Sequence, residues 1–139
     1  MEAPKTMRRF IVWSTLLTAL FLAAGTNLKA GEKKLMHCFY FTEIAEATDA
    51  DWEAFKKATD ELPGKIPGLN KVWYGKLRRP FNAFNSSGEK SVRQSGVCME
   101  LDDQDALGVY ADHPAHAEWV ALYEKVRVAG TTTIDILGE

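Results

Sequence analysis

The sequence predicts an α+β domain of the ferredoxin-like split βαβ type. In this arrangement a four-stranded antiparallel sheet carries helices on one face. Three observations lead there. Apolar segments alternate between strand and helix periodicity in the order β-α-β-β-α-β. The first strand is apolar on both of its faces. The last helical region is broken by a proline into two pieces.

The chain has 139 residues, nearly half of them apolar, enough for one domain with a real core. Its formal net charge is −2, and no basic stripe interleaved with aromatics occurs, so nucleic acid is not an expected partner. Residues 1–30 read apart from the rest. Lys5, Arg8 and Arg9 precede an uncharged apolar run from Phe10 to Ala24, shorter than the ~20 residues that span a bilayer. Small residues follow it up to Ala30. This is the pattern of a secretory signal peptide. The expectation is an exported protein, periplasmic or secreted, with no membrane attachment after cleavage and a mature chain starting near Gly31. An uncut membrane anchor is the alternative.

"KLMHCFYFTEI" (34–44) reads as strand one. His37, Phe39 and Phe41 share one face, and Met36, Cys38 and Tyr40 the other. A strand apolar on both sides must be covered on both sides. Residues 47–68 read as a helix with its stop. Thr48 and Asp51 form a capping box, Trp52, Phe55, Thr59 and Leu62 form the buried stripe, and Pro63-Gly64 ends the helix. Strand two is 69–77, a polar loop spans 78–94, and strand three is 95–101. Asp102 and Asp103 cap a short helix to Asp112 with Leu107, Tyr110 and Ala111 inward. A second helical piece covers 113–128, with Ala115, Trp119, Leu122 and Val126 as its buried stripe. Residues 131–137, β-branched and alternating, close the sheet as strand four. Helices on one face leave the other sheet face apolar and open. The simplest cover is a second copy, so a homodimer through the open face is expected.

"YADHPAHAEW" (110–119) holds two of the three histidines. Pro114 suits the first helical position, which makes His113 the cap and His116 the third helical residue. His116 then sits in the row with Val120 and Tyr123, at the rim of the core. A neutral imidazole there can accept or donate a proton, and one bonded to backbone at a helix start would be purely structural. A metal site from His37, His113 and His116 is disfavoured, since histidines three apart at a helix start diverge and no carboxylate completes the set. No phosphate loop or zinc spacing occurs, and no metal or cofactor is expected.

"MHCFYF", "ELPGKIPG", "VWYGK", "ALGVYADHPAHAEWV" and "TTIDIL", taken together, resemble the stress-responsive α/β-barrel (Dabb) domain over about residues 35–137. The resemblance implies ferredoxin-like chains that dimerise through their sheets into an α/β barrel. Most members have no assigned chemistry. A few are similar to polyketide cyclases or lactone isomerases. In those the pocket between sheet and helices is lined by residues matching His37, Tyr110 and His116. Their further histidine at the start of strand three corresponds to Ser95, a departure from the cyclase pattern. The resemblance thus implies a dimeric small-molecule-binding or stress-related module. The alternative is a cofactor-free acid–base enzyme with His116 as general base, Tyr110 orienting it and His37 as a second donor. Trp73, Phe39 and His113 are candidate ligand contacts, and the ligand expected is small and apolar or aromatic. Either Trp73 or Tyr74 must face the helices.

In a ferredoxin-like sheet Cys38 and Cys98 fall on adjacent central strands, and the resemblance to the cyclase-like pattern, with Ser95 and Val97 on the helix side, implies that Cys98 shares the face of Cys38, the one towards the second copy. Opposed residues have β-carbons ~4.5–5.5 Å apart, whereas a disulfide wants ~3.5–4.5 Å. A bridge and free buried thiols are both open, and neighbouring free thiols are the expected state.

Overall fold

The computed structural model of the protein describes residues 33–139, so the signal-peptide expectation for residues 1–30 falls outside the described residues. The elements run β1 (Leu35–Phe41), α1 (Asp49–Lys65), β2 (Leu69–Phe84), β3 (Lys90–Leu101), α2 (Gln104–Asp112), α3 (Pro114–Tyr123) and β4 (Thr132–Leu137). The sheet order is β2-β3-β1-β4, with antiparallel pairing throughout. This is the expected ferredoxin-like fold.

Period-two alternation decides what each sheet face does. Leu35, Phe39 and Phe41 of β1 join Val97, Met99 and Leu101 of β3 in the core. Phe55 and Leu62 of α1, Tyr110 of α2, and Trp119 and Tyr123 of α3 close over them. The other face carries a row across all four strands, Trp73, Cys98, Cys38 and Ile134, each directly paired with the next. Trp73, Ile134 and Ile136 on that face are 43%, 45% and 57% exposed. Gly96 is needed there. A β-carbon on it would stand 2.7 Å from the ring of Tyr40, which lies across this part of the sheet.

Local signals placed the helices well. Thr48 and Asp51 form both bonds of the capping box. Asp103 caps α2 by accepting from Ala106 N. His113 ends α2 and caps α3, its Nδ1 accepting from Ala115 N at 3.1 Å, with Pro114 opening α3.

Four expectations are corrected. Pro63 does not end α1, because Leu62 and Ile66, both nearly fully buried, hold the last turn against the core through Lys65. The segment 78–94 is not a loop. β2 and β3 continue as a long hairpin to Phe84 and Lys90, turning over 85–89, where the Asn85 side chain accepts from Ser87 N and Glu89 N. The pairing breaks between Lys76 and Phe81, which accommodates Pro80 without a missing ladder bond. In α3, Tyr123 rather than Leu122 completes the buried stripe with Trp119, because the helix turns its aromatic edge to Phe39, Phe41 and Phe55. Finally, Cys38 and Cys98 are bridged, not free. They are a directly opposed pair with a Cα separation of 4.1 Å, a narrow rung of the ladder that brings the two sulfurs into bonding contact.

Candidate functional site

The alternation that buries Phe39 puts His37 on the helix-covered side of β1, opposite Asp135 of β4. His37 Nδ1 lies 2.6 Å from Asp135 Oδ1. A carboxylate only accepts, so Nδ1 carries the hydrogen and Nε2 of the neutral ring carries the lone pair. The Tyr110 ring stands 5.7 Å from the His37 ring and 4.3 Å from the His116 ring. His116 is fixed too. Its Nδ1 is 3.0 Å from the carbonyl of Ala111, so Nδ1 donates and Nε2 is again free to accept. Its ring stacks on Trp119 at 6.0 Å. Trp119 is anchored in turn by its Nε1 donating to Thr59 Oγ1.

His37, Tyr110 and His116 thus converge on one cavity of about 150 Å3, which Phe39 also lines. Thr131, Thr133, Tyr123 and Arg127 complete its polar lining. Tyr110 and Tyr123 are both buried, and burial pushes each phenol well above its ordinary value, so both hydroxyls stay protonated and can donate. Two candidate contacts lie elsewhere. Trp73 is on the open face with Tyr40 and Cys98, and its neighbour Tyr74 faces the helices, donating to Asp60 at 3.0 Å. His113 spends its Nδ1 on the α3 cap. Among the described residues no three His, Cys, Asp or Glu side chains gather as a metal-ligand set.

Sequence reasoning missed Asp135, Tyr123 and Arg127. Asp135 had a signal available. Strand four alternates, and the one carboxylate in "TTTIDIL" falls on the face opposite Ile134 and Ile136, the helix-covered face that it shares with His37.

A larger cavity, about 660 Å3, lies under the first half of α1 between Trp52, Tyr74 and Ser95. Apart from Asp49, its charged groups are paired. Glu43 accepts from Ser95 and pairs with Lys76, and Lys56 pairs with Glu53. Packed rings of Phe41, Phe55, Trp119 and Tyr123 stand among the residues walling the two cavities. The smaller cavity is the one where histidines have a fixed tautomer and a ring nitrogen to spare.

Comparison with known proteins agrees with this architecture. Residues 35–136 match the Stress Responsive A/B Barrel Domain family. No curated protein matches the sequence. Among solved structures, a dimeric ferredoxin-like protein of unknown function from Thermobifida fusca superposes with a TM-score of 0.58 at 22% identity, over 80% of this chain and 96% of that one. A hydroxynitrile lyase from Passiflora edulis gives 0.60 at 8% identity, over 78% and 95%. SnoaB, a cofactor-independent oxygenase from Streptomyces nogalater, gives 0.50 at 13%, over 77% and 92%. At such identities these likenesses establish the fold alone. The family match spans most of the chain, and the fold and the His-Pro junction between α2 and α3 accord with it, so the protein belongs to the stress responsive A/B barrel domain family.

Proposed function

We propose that the protein is a homodimeric small-molecule-binding member of this family whose histidine cavity moves a proton on a single-ring aromatic or β-keto compound without a cofactor. The observation that carries this is the convergence of the His37–Asp135 pair, Tyr110 and His116 on one small cavity. A void of ~150 Å3 is the size that takes one benzene ring. His37 is the better base of the two histidines. Its Nδ1–H is held by a carboxylate, which stabilises the imidazolium that forms, whereas His116 is held by a neutral carbonyl. In this scheme a C–H bond beside a carbonyl breaks, its proton passes to His37 Nε2, and the electron pair moves onto the carbonyl oxygen. Tyr110 donates a hydrogen bond to that oxygen, and the His37 imidazolium, after exchange with water, returns a proton to the carbon, while His116 Nε2 stands ready to accept a hydrogen bond.

Acetophenone in D2O tests the scheme. The wild-type protein should exchange its methyl protons faster than His37→Ala does by roughly a hundredfold, the usual scale of a positioned base. Equal rates with and without His37 would contradict it. A second reading, binding without turnover, draws support from Ser95 standing where cyclase-like members resemble one another in having a histidine. In that case the ketone binds and no exchange is accelerated.

The homodimer draws support from the exposed apolar row on the open face and from the dimeric Thermobifida fusca structure. Export is also proposed, on the pattern of residues 1–30 and on a Cys38–Cys98 bridge that suits an oxidising compartment. Amino-terminal sequencing of the protein from its native host should begin near Gly31, and an intact amino terminus in the membrane fraction would contradict export.

A further inference from the structure

The histidine cavity has a second polar side that proton transfer does not use. Tyr123 is only 4% exposed, lines the cavity, and among the described residues its hydroxyl closes no hydrogen bond of good geometry, although Thr131 lies beside it. Arg127 lines the same cavity, lays its guanidinium over the Tyr123 ring at 4.6 Å, and has a buried Nε–H that is likewise without a partner among the described residues. A buried donor left unmatched is costly, and two at one place mark where an acceptor belongs. The charge nearby points the same way. Among the described residues Arg127 Nη2 reaches only Glu124, at 3.4 Å and on the solvent side. Arg93, which acts electrostatically on Tyr123, is buried and makes its hydrogen bonds to the neutral hydroxyls of Thr42 and Thr132. This side of the cavity therefore has cations and donors in excess of acceptors.

We infer that Arg127 and Tyr123 form an anion-holding subsite, and that the cavity takes a small carboxylic acid with its carboxylate on Arg127 Nε and Tyr123 Oη and its ring or chain against Phe39, towards His37. Phe39 fits that role. Its ring lies 5.5 Å from both His37 and Tyr123, so it forms an apolar floor between the base and the anion subsite. The inference rests on the histidine cavity being the binding site and adds the class of ligand, an anionic one. Charge-assisted bonds to a guanidinium are the strong ones, and a neutral amide of the same shape forfeits them.

The test compares benzoate with benzamide on the purified wild-type protein by calorimetry. Benzoate should bind at least about tenfold more tightly. Arg127→Met should remove that preference, and Tyr123→Phe, which keeps the ring and its packing, should reduce it several-fold even where the arginine variant folds poorly. Equal wild-type affinities, a preference retained in both variants, or no binding of either compound would overturn the subsite. The proton-transfer reading fails separately. Benzoate preference without ketone exchange keeps the subsite and removes the base chemistry. Ketone exchange without benzoate preference does the reverse.

Discussion

Tyr40 and Phe41 are neighbours in sequence and face opposite ways, and the contrast between them holds for the whole of β1. On the helix-covered side, His37, Phe39 and Phe41 are locked among rings, and His37 and Phe39 form one wall of a small cavity with proton-handling groups. On the open side, Met36, Cys38 and Tyr40 meet no helix, and the row from Trp73 to Ile134 leaves apolar surface exposed around a disulfide. The period of two lets a single seven-residue strand line a cavity on one side and an exposed apolar face on the other.

The sharpest way to break this contrast is to change the two neighbours one at a time. Phe41 is 1% exposed and packs on Trp52, Phe55 and Tyr123. Phe41→Ala should lower protomer stability by about 3–5 kcal/mol, the cost of removing a core phenyl ring, read as a lower denaturant midpoint. Tyr40→Asp should leave a folded chain that sediments as monomer or aggregate, because a charge is placed in an apolar interface. A Tyr40→Asp dimer as tight as the wild type would show that the open face is not the interface.

The disulfide gives the next largest effect. It links positions 60 residues apart and cross-braces the two central strands. In the chain-entropy account, opening a loop of this length costs about 4 kcal/mol, and measured values for native bridges are commonly about 2–4 kcal/mol. The Cys38→Ala/Cys98→Ala protein should lose that much stability and keep its ligand cavity, since the pair lies on the other side of the sheet. Reactive thiols in unreduced, denatured wild-type protein would show that the bridge is absent.

A smaller effect separates the faces by pH. Burial raises the Tyr110 phenol above its ordinary value of 10. The unfolded chain then ionises first as pH rises, so the unfolded state binds fewer protons and stability falls. Stability from this group is intact below about pH 10 and is lost above it. Tyr110→Phe should flatten the fall in melting temperature between about pH 9.5 and 11. An unchanged slope would mean that Tyr110 is solvated rather than buried over the cavity.

Much of this was legible in the residues. The strand order, the capping box at Thr48 and the cap at His113 all come from local chemistry that the fold does not override. His37, Tyr110 and His116 converge as the family resemblance implied, while Trp73 went to the open face because Tyr74 took the inward position. What was not legible depends on tertiary contact. Pro63 reads as a helix stop until Ile66 is seen buried. The hairpin arms of β2 and β3 read as loop because polar residues and Pro80 hide a ladder made by pairing alone. Arg127 follows the last helix just after a turn, in a single antiparallel bridge to Glu43, and nothing in "EKVRV" says that its Nε is buried beside a phenol. The family resemblance placed the cysteines on one face but not at bonding distance, which the narrow rung decides.

The most direct test uses the three histidines of the chain as reporters, two in the cavity and one, His113, in the α3 cap. Imidazole resonances are followed by NMR while the purified protein is titrated with benzoate. The account predicts that His37 and His116 shift together and saturate at one ligand per chain, with His113 unmoved. Shifts confined to His113, or none at all up to saturating benzoate, would contradict it.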